Sequence, residues 1–302
     1  MGSKVRRIGI GVALTVVLLL GVVVLALSYS GVGETYEVGK EGLPLALSDL
    51  SVVPQSVVDD ATRLATELFG DRQEDGNDFV NQLLATYLEA KDKDFVIVFN
   101  PGGWGCNLLE ATPGWHSIVT GIESELASLD YELLLLNYRR TAETLRGRLD
   151  ELVEMATLYP SKAKDLARRV EFLTEHIPDL RVIVTGESNG AIISDSVMNI
   201  LRDNPQVYSI QTGSPFWHNN VTLDRTLDMT DNGIIPDSLS RGDFWAILKA
   251  YLKALFGLSQ PVDDFDTIPH YVREPGHDYW WQYPKVYSEI TDFLEQNFGI
   301  KW

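Results

Sequence analysis

An α/β fold, built on a doubly wound and mostly parallel sheet of about six strands, is the architecture this chain predicts. Three observations carry the expectation. Short apolar runs recur, each followed by a longer run with helical spacing. One of them, residues 95–99, is apolar throughout, as expected of a strand buried on both faces. A Gly-x-Ser-x-Gly pentapeptide, Gly186-Glu187-Ser188-Asn189-Gly190, joins the β-branched run 181–185 to a helical run, 191–201.

The elements follow in order. Residues 1–7 carry Lys4, Arg6 and Arg7 and no acid, and 8–27 then hold 20 residues without a charge. At about 1.5 Å per residue such a helix spans roughly 30 Å, one hydrocarbon core. The basic flank keeps the N-terminus cytoplasmic and puts the rest of the chain on the far side. The expected divisions are a cytoplasmic N-terminus (1–7), a transmembrane signal anchor (8–28), a juxtamembrane linker rich in Gly and Pro (29–54) and one catalytic-sized domain (55–302). A cleaved signal peptide ending near Ala26-Leu27-Ser28 is the rival, but the apolar run exceeds the about 7–15 residues usual for one. Helices are expected over 56–69 and 78–90, without a pair of antiparallel strands before the first buried one. Strand 95–99, helix 115–129, strand 131–137 and one or two helices over 144–176, broken at Pro160, come next. Strands at 181–185, 207–211, 225–229 and 267–272 and a final helix at 285–298 complete the alternation.

The 25 basic residues include three in the first 30, which leaves 22 against 43 acidic, a balance of −21 for the remainder. That argues against nucleic acid or anionic lipid headgroups as bulk partners. A single cysteine, Cys106, allows no intrachain disulfide. No His/Cys/Asp cluster has metal-ligand spacing and no phosphate loop is present, so neither a metal nor another cofactor is expected.

Ser188 is the candidate nucleophile. A serine on a tight strand-to-helix turn projects from the carboxyl end of the sheet, and the following helix N-terminus offers N–H groups to a developing oxyanion. Asn100-Pro101-Gly102-Gly103-Trp104-Gly105 follows the first buried strand, where its glycines let the backbone approach a substrate. The expected donors are the N–H of Gly103 or Trp104 and that of Asn189. His277, in Gly276-His277-Asp278 before the last helix, is the candidate general base; His116, His176, His218 and His270 compete with it. Asp231, after the fifth strand, is the expected acid, with Asp237 as its rival.

These pieces resemble the α/β-hydrolases, esterases and lipases above all, over roughly residues 93–302. The oxyanion loop, the pentapeptide elbow and the order Ser, Asp, His match the family's. The oxyanion loop departs in beginning with Asn100 where many members have His. In compact lipases of the family an Asp stands three residues before the proline that is here Pro236; this chain has Gly233 there. The resemblance implies a serine hydrolase of carboxylic esters, acting on a small-molecule or lipid-like ester, and the N-terminal anchor would place it at a membrane.

Residues 244–258 form an unusually apolar run with Lys249 and Lys253 its sole charges. It reads either as a lid or acyl-binding wall or as a helix packed on the body. Trp104, Trp115, Trp217, Trp245, Trp280 and Trp281 fall near the expected active face. The alternative from another class is a catalytically inactive module of the same fold, used for binding or assembly at the membrane.

Overall fold

The computed structural model describes residues 36–38, 52–142, 144–221, 223–255 and 274–299. The expected anchor, most of the linker, His270 and the expected strand 267–272 lie outside the described residues. Among the described residues, no helix is long and apolar enough to cross a membrane.

The chain runs β1 (Tyr36–Val38), α1 (Gln55–Phe69), α2 (Gln73–Ala90), β2 (Phe95–Asn100), a single 3-10 turn (Leu109–Ala111), α3 (Pro113–Ser128), β3 (Leu133–Arg139), α4 (Leu145–Ala156), α5 (Pro160–His176), β4 (Arg181–Glu187), α6 (Asn189–Ile200), β5 (Val207–Thr212), β6 (Thr226–Met229), α7 (Ser238–Arg241), α8 (Phe244–Leu255) and α9 (Pro284–Phe298). The break expected at Pro160 falls there. Pro160 opens α5, and Leu158 and Tyr159 before it adopt positive φ, which ends α4.

The strands lie in the order β1-β3-β2-β4-β5-β6. From β3 to β6 the five neighbours are all parallel. β1 pairs antiparallel with β3, Tyr36 opposite Arg139. A single antiparallel strand thus precedes the sheet, where the expectation was that an antiparallel pair is absent. Three residues within a Gly-rich stretch are too few to show a period-2 pattern, so the sequence reads as linker.

Alternate side chains of β2 feed two cores. Val96 and Val98 join α1, α2, α5 and α6 on one face. Phe95, Ile97 and Phe99 join α3 and α9 on the other. Burying each such side chain contributes roughly 1.5–3 kcal/mol, which is why 95–99 tolerates no polar residue. The chain leaves β2 toward β3 on one side and returns to β4 on the other. The carboxyl ends of β2 and β4 therefore flank a topological switch point, where a crevice forms in open α/β sheets. Asn100 and Gly186 are partners across it.

Candidate active site

Ser188 sits between β4 and α6 at φ 52°, ψ −115°. That region is sparsely populated by side-chain-bearing residues and is held only where the surroundings over-determine it. The surroundings here are backbone. A Cβ on Gly186 would lie 2.5 Å from the Gly190 carbonyl oxygen, and one on Gly190 2.2 Å from the Asn100 carbonyl oxygen. The two glycines let strand, elbow and β2 close on one another, and the Ser188 N–H donates to the Thr212 carbonyl at 2.9 Å. Asn189 is the first residue of α6, so its N–H has no intrahelical acceptor.

The loop after β2 is also fixed. Gly105 N–H donates to the Gly102 carbonyl at 3.1 Å, closing a tight turn with Gly103 at φ 55°. The Asn189 side-chain amide donates to the Gly103 carbonyl at 3.2 Å, tying the loop to the elbow. Trp104 is exposed at the tip.

His277 lies in the loop before α9, its Nδ1 2.8 Å from Asp237 Oδ2. The residue after Thr212 packs on its ring: a Cβ on Gly213 would lie 2.5 Å from His277 Cε1. The Thr212-Gly213 backbone thus touches Ser188 on one side and the imidazole on the other. Asp237 is fully buried. Its Oδ1 accepts from the N–H groups of Leu239 at 2.9 Å and Ser240 at 3.1 Å, capping α7. Its Oδ2 also accepts from the Ser240 hydroxyl at 3.1 Å and the Tyr279 hydroxyl at 2.8 Å.

Burial alone would raise the Asp237 pKa, but the bond and charge of His277, with the Ser240 and Tyr279 donors, hold it below the usual carboxylate value. Burial alone would lower the His277 pKa; the bond and charge of Asp237, helped by Glu187 and Glu274, raise it above the ordinary 6.5. An ionised carboxylate only accepts, so the Nδ1 of His277 carries the hydrogen and a neutral ring presents Nε2 as acceptor. Such an imidazole can take a proton from a hydroxyl. Burial and the Asp237 charge push the Tyr279 phenol up, so it remains a donor.

Asp231, the expected partner of His277, is elsewhere. Its Oδ1 accepts from the Gly233 N–H at 2.7 Å and its Oδ2 from Arg241 at 3.0 Å. It closes a surface turn, as an Asp-Asn-Gly sequence favours, and the chain then reverses through an Asp231–Pro236 bridge that delivers Asp237 inward. Asn232 fastens this loop to the histidine loop, donating to the Asp278 carbonyl at 2.8 Å. Tyr279 was not foreseen. Its hydroxyl meets the same Asp237 oxygen as the Nδ1 of His277, two residues earlier in the loop.

The other histidines among the described residues have different surroundings. His116 is exposed on α3. His176 ends α5 and packs on Phe172 at 4.5 Å between ring centroids. His218 Nε2 lies 2.8 Å from Asp195 Oδ2 on α6, a second histidine–aspartate pair that anchors the loop after β5. Trp115 is core and donates from Nε1 to the Thr212 hydroxyl at 3.0 Å. α8 is not covered by the body along one stripe: Phe244, Trp245, Leu248 and Leu252 are exposed, as are Phe216 and Trp217 beside it. The Phe216 ring centroid is 5.2 Å from that of Phe244 and 5.0 Å from that of Trp217. Among the described residues, no group of His, Cys, Asp and Glu could hold a metal ion.

No protein-family model matches the chain, and no curated protein matches it significantly. Among solved structures, a Trichoderma reesei cutinase in complex with a C11Y4 phosphonate inhibitor is similar at a TM-score of 0.41 and 12% sequence identity, over 81% of this chain and 94% of that one.

Proposed function

We propose that the protein is a serine hydrolase of carboxylic esters. One observation carries the reading above the rest: a buried, ionised Asp237 holds His277 by Nδ1, on the same backbone segment that holds a strained serine at the end of β4. In this reading Ser188 Oγ attacks the ester carbonyl while His277 Nε2 takes its proton. The oxyanion is received by the N–H of Asn189 and that of Gly103 or Trp104. Collapse of the tetrahedral intermediate expels the alcohol, which takes the proton from His277. Water, deprotonated by the same imidazole, then attacks the acyl group, and the acid leaves as Ser188 Oγ takes the proton back from His277. Asp237 stays ionised and keeps the imidazole in the productive tautomer.

The exposed aromatic cluster of Phe216, Trp217, Phe244 and Trp245 favours an apolar or acyl-bearing substrate. Residues 8–28 would hold the domain at a membrane, with the catalytic part outside the cytoplasm. The test is Ser188→Ala in the full chain, with fluorophosphonate labelling of the parent. The expected result is labelling of Ser188 in the parent, and in the variant a native melting transition without turnover of a p-nitrophenyl ester. Near-normal turnover by the variant refutes the reading, and an unlabelled, inactive parent favours a binding module.

A further inference from the structure

We infer that the buried Arg140–Glu151 ion pair is a positioning device for the loop of residues 101–105, setting the direction of the N–H groups that receive the oxyanion. The inference rests on the ester-hydrolase reading above. Arg140 follows β3, and both it and Glu151 of α4 are almost entirely buried. Arg140 Nε donates to Glu151 Oε1 at 2.9 Å, and the other carboxylate oxygen accepts from the Thr141 hydroxyl at 2.7 Å.

The far edge of the guanidinium is spent on the loop. Nη1 donates to the Pro101 carbonyl and Nη2 to the Gly103 carbonyl at 3.0 Å. The Arg140 backbone N–H donates to the Gly105 carbonyl at 3.0 Å. The side chain runs so close beneath the loop that a Cβ on Gly105 would lie 2.4 Å from Arg140 Cζ. The Gly102 carbonyl is taken by the Gly105 N–H at 3.1 Å.

Three consecutive carbonyls, 101 to 103, therefore have fixed acceptor directions. In a planar trans peptide the N–H points opposite the carbonyl. Fixing those carbonyls turns the N–H groups of Gly102, Gly103 and Trp104 away from Arg140 and the turn. These include those of Gly103 and Trp104, the two alternatives for the loop's oxyanion donor; the other donor, the Asn189 N–H, belongs to the elbow. The planar fork suits this task, since one group must meet a carboxylate and two divergent carbonyls at once; a lysine ammonium has no such fixed geometry. A buried ion pair is a weak device for stability, because desolvation offsets its attraction. Its use here is geometric.

The test compares the parent with Arg140→Lys and with Arg140→Met/Glu151→Leu, the latter removing both charges so that neither is left buried alone. Three quantities are read on the full chain: the melting transition, kcat and KM for p-nitrophenyl butyrate, and amide hydrogen exchange in a peptide covering residues 101–105. The expected result in a folded variant is a kcat lower by about 100-fold or more, the loss typical of one oxyanion donor. KM stays within about threefold, and loop exchange is at least about tenfold faster. A folded variant with kcat within about threefold of the parent, or with unchanged loop exchange, overturns the inference. So does a loss of stability or a rise in KM without a fall in kcat. Should the double variant not fold, Arg140→Lys decides by the same readings. An inactive parent that no fluorophosphonate labels defeats the hydrolase reading, and with it the catalytic use of the pair, whereas exchange shows separately whether the pair orders the loop.

Discussion

Asp237→Asn changes one atom of a carboxylate that accepts five hydrogen bonds, two at Oδ1 and three at Oδ2. The two bonds at Oδ1 come from backbone N–H groups, which cannot rotate. The asparagine oxygen therefore stays on them, and the new NH₂ group faces His277, Tyr279 and Ser240. The two hydroxyls can turn to accept. The imidazole can accept only by giving up its Nδ1 hydrogen, which moves to Nε2, so Nε2 no longer accepts a proton from Ser188. The α7 cap and the fold are kept while the tautomer is wrong. A change of this kind in a serine triad lowers the rate by about 10⁴, equivalent to about 5 kcal/mol at about 1.36 kcal/mol per decade. Asp231→Asn is the matched control, because Asp231 is tied to Gly233 and to an exposed Arg241, and exposed pairs are worth about 0–1 kcal/mol. The assay is kcat/KM on p-nitrophenyl butyrate with a melting curve for each variant. The expected result is a fall of about 10⁴ for Asp237→Asn and near-parent activity for Asp231→Asn. Activity of Asp237→Asn within tenfold of the parent, or an equal fall at Asp231, would refute the assignment.

Four further outcomes are expected. The His277 pKa is raised, and the base must be neutral, so kcat/KM should climb with pH through a midpoint above about 6.5; a midpoint at or below 6.5 counts against the Asp237 contact. By linkage the same shift stabilises the fold below the unfolded value near 6.5 and is lost as pH rises through the folded pKa, so the melting temperature of Ser188→Ala should decline across that window. Gly190→Ala forces a Cβ to 2.2 Å from a backbone oxygen and should destabilise by about 1–3 kcal/mol, as overpacking does, measured by urea unfolding. A reporter fused after residue 302 should be active only outside the cytoplasm, and a mature N-terminus near residue 29 would instead show a cleaved signal peptide.

Much of this arrangement was written in local pattern. The run 95–99 has no polar position because both faces of β2 are covered, and Pro160 breaks a helix for reasons internal to its ring. The elbow was visible because its glycines are required by close backbone approach. The choice between Asp231 and Asp237 was not local. Both follow β6 and both stand in turn-like sequence, and the decision is made by the reversal between residues 231 and 236. The cap signal at Asp237, with Ser240 three residues on, was present but speaks of a helix end and not of His277. Arg140 illustrates a different limit. An arginine after a strand reads as surface, and only the docking of the next helix, α4, with Glu151 makes its burial tolerable. The stripe on α8 was legible as apolar, but its lack of cover is a property of the assembled molecule.

The backbone angles of Ser188 have a consequence for how the proposed activity could be lost. A conformation of that kind is worth about 1–3 kcal/mol of strain when a side chain occupies it, and glycine enters it freely. Ser188→Gly should therefore melt a few degrees higher than the parent, since about 1 kcal/mol moves the transition of a domain this size by about 2–4 °C. At this one position thermal robustness and the proposed chemistry are in direct opposition. Ser188→Gly gives up the hydroxyl for a relaxed backbone, so its melting curve reads the strain that the serine carries.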